Sequence, residues 1–200
     1  MKVSPKIKMS LVFNCLGCFI LILSIAGCAS HRTFKLEEPA KQYKELNKYP
    51  IRIYLELSDA YINTTMKDKL GETKIGDDLA RYTNTLAKQM FILTSNGNDV
   101  FDAILSPSVV SIDHRARMWA GSNSDVAITI KWTIRTKEGV VIWVKSITGK
   151  GEMEMGTAFS EGTRRKERVL LAIDNLFAET SKAITHSYEL RTFTNLITTN

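Results

Sequence analysis

The residues able to do chemistry in this 200-residue chain are few and scattered. Three cysteines occur, Cys15, Cys18 and Cys28, and the first two form a C-x-x-C of the kind used for redox or metal work. Both lie inside an apolar run from Leu11 to Ile25 rather than in a domain. His31, His114 and His186 are far apart in sequence, and neither G-x-S-x-G nor H-E-x-x-H occurs, so no nucleophile is paired locally with a base. Asp77-Asp78 and Glu152-x-Glu154 are isolated carboxylate pairs, read more readily as a helix-dipole partner or a solvated face than as metal ligands. Gly149-x-Gly151 does not join a strand to a helix as a phosphate loop must. These observations predict a protein that is not an enzyme and has no cofactor and no metal.

The first 28 residues have their own logic. Lys2, Lys6 and Lys8 precede the apolar run, small residues follow it, and Cys28 ends the series. Positive, apolar and small in that order is a secretory signal, and the run is shorter than the roughly 20 residues of a membrane span. The tetrapeptide Ile25-Ala26-Gly27-Cys28 resembles the lipobox of bacterial lipoproteins. The resemblance implies removal of residues 1–27, diacylglyceryl transfer to the Cys28 thiol, acylation of the new amino group, and a stable anchor of several acyl chains. The competing reading is an uncleaved transmembrane anchor. Cys15 and Cys18 leave with the signal, so the mature domain forms no disulfide and relies on its core; about 170 residues suffice for one. By the same resemblance, Ala29 after the cysteine, where Asp would signal inner-membrane retention, points to the outer membrane, with the domain facing the periplasm.

Composition narrows the partners. The formal charge of +6 loses three lysines and no acid with the signal, leaving +3, and no basic stripe runs along the domain. Nucleic acid is therefore not an expected partner. Hydrophobic content of 44% with dispersed charge suits one globular domain. The expected organisation is a signal over 1–27, the lipidated cysteine and a tether over 28–49, a single domain over 50–190, and a loose Thr- and Asn-rich tail over 191–200.

Within the domain, Ile51, Ile53, Leu55 and Leu57 alternate with polar residues and predict a strand. Residues 58–74 are polar and read as a loop. Ile75, Leu79, Tyr82, Leu86, Met90 and Leu93 form one helical stripe, with Asp77 and Asp78 in its first turn. A strand over 101–113 follows, with Pro107 marking an irregularity or an edge. Val126 to Arg135 alternates strictly, Lys137-Glu138-Gly139 turns, and Val140 to Thr148 returns, a hairpin. Gly149, Gly151 and Gly156 are expected to fray what comes next. A last helix spans roughly 163–188. The β-α-β-β-β-α order predicts an α+β two-layer sandwich, a mainly antiparallel sheet of four to five strands with two amphipathic helices on one face.

Two clusters are candidates for binding. His114, Arg115, Arg117, Met118 and Trp119 combine charge with an aromatic in the connection from 113 to 124; Arg115, Arg117 and Trp119 could form an interface anchor, or the Trp could fold back to cap the core. Arg164, Arg165, Lys166 and Arg168 open the last helix, where cations oppose the dipole, so the run could hold an anionic lipid or glycan, or be neutralised in solvent by Glu161 and Glu167. In outline, a lipobox, a tether and then strand–helix–antiparallel strands–helix resembles the LptE-like lipoproteins of lipopolysaccharide export, the YajG-like lipoproteins and the auxiliary lipoproteins of ABC-type lipid transporters. Val126 to Trp143 carries that resemblance as their central hairpin. It implies an accessory or assembly subunit of an outer-membrane transport or biogenesis complex, with a membrane and an envelope protein as partners. The alternative is a stand-alone lipid- or glycan-binding module.

Overall fold

A computed structural model describes residues 49–68, 71–94, 100–115, 124–153 and 161–199. The signal, Cys28 and the tether lie outside the described residues. Eleven elements follow in chain order: β1 Arg52–Leu55, α1 Asp59–Ile62, β2 Thr65–Asp68, β3 Gly71–Lys74, α2 Gly76–Met90, β4 Ile92–Leu93, β5 Ala103–Arg115, β6 Ser124–Thr136, β7 Val141–Met153, α3 Glu161–Thr185 and α4 Tyr188–Thr199. The two-layer α+β sandwich is observed. Its five-stranded sheet has the order β4-β1-β5-β6-β7, with β2 and β3 forming a separate hairpin.

The sheet is mostly, not fully, antiparallel. β5, β6 and β7 form an antiparallel meander of 13-residue strands, whereas β1 pairs in parallel with both β4 and β5. Parallel neighbours need a crossover, and α2 supplies the one from β1 to β4. Pro107 fits where it stands: β1 pairs only with 103–105 of β5, so the missing N–H lies beyond the end of β1.

The period-two residues of β6 explain the core. Val126, Ile128, Ile130, Trp132 and Ile134 are all fully buried, and the apolar stripes of α2 and α3 cover them. Phe177 of α3 joins the layers, tilted against Tyr82 of α2 at 5.3 Å and edge-on to Trp132 at 5.7 Å between ring centres. The two helices run the same way. Tyr82 Oη donates to Asp174 Oδ1 (3.1 Å) midway along, and Tyr49 links the far ends, its N–H to Met90 O (2.6 Å) and its hydroxyl to Ile184 O (3.1 Å).

Four expectations are corrected. Residues 58–74 are not a loop but α1 and the β2–β3 hairpin. Ser58 caps α1 by accepting from Tyr61 N–H (3.2 Å). Tyr61 is buried and its hydroxyl meets Thr83 Oγ1 at 2.8 Å; since Thr83 spends its own proton on Leu79 O (2.8 Å), Tyr61 is the donor. The α2 stripe stops at Met90, because Phe91 turns extended and Ile92–Leu93 joins the sheet beside β1. Gly149 and Gly151 do not fray β7, which runs on to Met153; they let α3 settle on it. A Cβ at Gly149 would meet Ala172 O and Leu176, and one at Gly151 would meet Arg168 O and lie 2.8 Å from Ala172 N. Finally, the expected tail is helix α4, opened by Ser187, whose hydroxyl accepts from Leu190 N–H (3.2 Å).

Candidate functional site

The two sequence clusters fare differently. Arg117 and Trp119 lie outside the described residues, as does the side chain of Arg115, the last residue of β5. Of the basic run, the Arg164 side chain is not described, Arg165 and Arg168 are 4% and 2% exposed, and Lys166 is exposed. Arg165 Nη2 donates to Gly71 O (3.3 Å), joining α3 to the β2–β3 hairpin. The helical period accounts for the split, since 165 and 168 share the inward face that continues through Val169, Ala172 and Ile173. The run therefore does not form one open cationic surface.

Three other regions could receive a partner. The first is the side of the sheet opposite the helices, which no described element covers. Across β5, β6 and β7 it carries three rows, Ser106–Thr133–Val144, Ser108–Lys131–Ser146 and Ser111–Thr129–Thr148, in which every residue but Val144 and Lys131 is a small hydroxyl. Thr129 and Thr148 bond across the strands at 2.8 Å between hydroxyl oxygens. Val110, Val141 and Val144 are more than half exposed. At the β1 end an ordered charge set closes the face. Arg135 Nη2 and Ser106 Oγ both donate to Glu56 Oε2 (2.9 and 2.7 Å), and Arg52 Nη2 donates to Asp102 Oδ1 (2.7 Å). Burial acts to raise the Asp102 carboxyl, but hydrogen bonds and charge from Arg52 outweigh it and hold it below its ordinary value.

The second region is a groove of about 470 Å³ between the outer edge of β7 and α3, lined by Lys145, Ser146, Ile147, Thr148, Glu179, Lys182, Ala183 and His186. Lys182 Nζ is engaged by Glu179 (2.7 Å), and His186 Nδ1 lies 2.7 Å from Lys182 O, which makes it the protonated nitrogen. Farther along the same edge, Asn175 Nδ2 caps the outward Lys150 O (2.7 Å). The third is a groove of about 600 Å³ at the opposite edge, between α2 and β4, with Tyr54, Asn84, Lys88, Phe91, Ile92 and Thr94 among its lining.

Neither groove brings a nucleophile against a base among the described residues, and no group of three or more His, Cys, Asp or Glu there could hold a metal ion. No described helix is long and apolar enough to cross a membrane. Sequence reasoning missed the uncovered face. Its signal was present in the polar half of the β6 alternation, Thr129, Lys131 and Thr133, which was legible as a surface but not as an unusually large one.

No protein-family model and no curated protein matches the chain. Solved structures similar to it include a minor lipoprotein from Acinetobacter baumannii, at 18% identity and TM-score 0.43 over 67% of this chain and 91% of that one. A protein from Xanthomonas campestris gives 8% identity and TM-score 0.46 over 82% and 94%. Lipoprotein B from Nitrosomonas europaea gives 12% and 0.42 over 80% and 92%. Likeness at these scores assigns neither family nor function.

Proposed function

We propose that the chain is a lipid-anchored bacterial envelope protein that works through protein contacts, as a non-enzymatic accessory subunit of an assembly or transport complex. Two features support the reading. The lipobox Ile25-Ala26-Gly27-Cys28 supplies an anchor, and Ala29 after it favours the outer membrane. The observation that carries the contact role is the uncovered sheet face, with half-exposed Val110, Val141 and Val144 among short hydroxyl side chains. Most side chains on this face are short, so little side-chain ordering opposes a partner that covers it.

A membrane-anchored, mildly crosslinked pull-down of the full chain tests this, beside Cys28→Ala and the pair Val110→Lys/Val144→Lys. Recovery of one or two stoichiometric envelope proteins, lost in both variants, is the expected result. Recovery of lipid or glycan with no protein would replace this reading with the stand-alone binding module, for which the groove with Lys145, Lys182 and His186 is the natural seat.

A further inference from the structure

The C-terminal helix has a surface that the contact role does not use. Leu190 of α4 is buried, and Phe193 and Ile197 pack against the core, which fixes the inward side. At 100° per residue the outward side is then Tyr188, Thr192, Asn195, Leu196 and Thr199. All five are exposed, Tyr188 at 78% and Leu196 at 60%. Glu189 and Arg191 flank this arc, and residues 192–200 contain no charged side chain.

Four threonine hydroxyls on α4 are satisfied from within. Thr192 donates to Tyr188 O (3.1 Å), Thr194 to Leu190 O (2.8 Å), Thr198 to Thr194 O (3.0 Å) and Thr199 to Asn195 O (2.6 Å). A threonine bonded to its own i−4 carbonyl needs no water, so the arc can be desolvated without orphaning those groups.

Position says what would desolvate it. The described chain begins at Tyr49, whose hydroxyl donates to Ile184 O and Thr185 O (3.1 and 3.2 Å) at the end of α3. Arg191 of α4 donates to the same Thr185 carbonyl (3.0 Å). The segment that links Cys28 to the domain therefore arrives beside the first turn of α4. Twenty residues, 29–48, separate Cys28 from Tyr49; a random coil of that length spans about 25 Å, no more than a small domain's diameter. A surface so close to its own anchor meets the bilayer at high effective concentration, so a modest apolar arc is enough. Tyrosine favours the membrane–water boundary, and at roughly 18 Å the helix can lie in that boundary but not cross it.

We infer that α4 is an interfacial helix, its Tyr188–Leu196 arc resting in the headgroup region of the phospholipid bilayer that carries the lipidated Cys28. The inference depends on the lipid-anchor reading.

The test uses the full lipidated chain in vesicles of phosphatidylethanolamine with a minor share of phosphatidylglycerol. After signal removal the sulfur of Cys28, the one native cysteine left, is blocked as a diacylglyceryl thioether, so an engineered cysteine takes an NBD fluorophore alone. Leu196→Cys and, independently, Thr192→Cys report on the arc, and Val110→Cys reports on the uncovered sheet face. Emission at 196 and 192 is expected to rise about two-fold or more on reconstitution and to be quenched by a headgroup nitroxide lipid, with neither change at 110. Protein that floats with the vesicles yet shows no rise at 196 or 192 overturns the inference and leaves the anchor intact. A rise that follows protein density and ignores the lipid quencher assigns the arc to a second copy and overturns it. Protein that fails to float removes the anchor and the inference together.

Discussion

The two faces of the β5–β6–β7 meander are built from the same three strands and differ in what their side chains must meet. On the helix side, β6 offers Val126, Ile128, Ile130, Trp132 and Ile134 without a break, and β7 gives up side chains altogether at Gly149 and Gly151 so that the α3 backbone can lie against it. On the other side the same strands offer Thr129, Lys131, Thr133, Ser146 and Thr148, of which Thr129 and Thr148 hydrogen-bond across the strands. One face is specified by volume to within a methyl group; the other is specified only by polarity and β propensity. A core face of that kind tolerates little change, whereas a face free of packing constraint can be shaped by a partner.

The contrast breaks with the largest effects at Gly151 and at Trp132. Gly151→Val would drive a branched side chain into the Arg168 carbonyl, and the obstruction is helix backbone that cannot rotate away. We expect a loss of about 3 kcal/mol, read as a lowered denaturation midpoint, and separation of the α3 start from β7 seen as faster amide exchange there. Next comes Trp132, where Trp132→Ala should cost about 3–5 kcal/mol through the cavity left against Phe177. Trp132→Phe should cost less than half of that. It keeps most of the ring and also removes a buried indole N–H that meets no acceptor among the described residues.

Between the helices the comparison becomes one of pH. Burial raises the Asp174 carboxyl above its ordinary value, and the Tyr82 hydrogen bond opposes that rise. The folded state thus holds the proton more tightly than the unfolded chain does. The resulting stabilisation is complete below the unfolded value of 3.8 and is lost as pH climbs through the higher folded value. Asp174→Asn retains an acceptor for Tyr82 and carries no charge, so it should melt higher than the parent at neutral pH. That advantage should vanish on acidification below about pH 4 in a pH series of thermal melts. Tyr82→Phe removes the opposing hydrogen bond and should move the Asp174 titration further upward, measured by carboxyl carbon chemical shifts.

Legibility followed the same division. The hairpin of β6 and β7 and the stripes of α2 and α3 were readable because each buries one face continuously, so their period survives in sequence. The β2–β3 hairpin was not. Its strands are four residues long, and among their described side chains only Met66 and Thr73 are buried, which leaves no period to count. Nor was the parallel pairing of β1, since a four-residue strand does not announce its neighbours. The glycines of β7 misled for a physical reason: glycine marks both a frayed strand and a close approach, and only the partner helix tells the two apart. Helix α4 hid behind threonine, whose low helical propensity is offset here by the Ser187 cap and by packing of Leu190, Phe193 and Ile197. Of the candidate site, the arginines at 165 and 168 were legible as unusual in a first turn, but their inward direction was not. An amphipathic helix that buries arginine stems follows no simple hydrophobic count.

The smallest stability effect is the most informative about function. Val110→Lys and Val144→Lys replace side chains that are 58% and 51% exposed, on a face with no described cover, so each should change the unfolding free energy by no more than about 0.5 kcal/mol. The neighbouring Lys131 could add a slight repulsion across the β6–β7 pair, which salt would screen. A core residue has no such freedom, so near-neutral unfolding together with loss of the crosslinked partner would separate recognition from folding within one three-stranded meander. If either lysine instead lowered the denaturation midpoint as far as Trp132→Ala, the face would be covered in the free protein, and the difference between the two sides of the sheet would disappear.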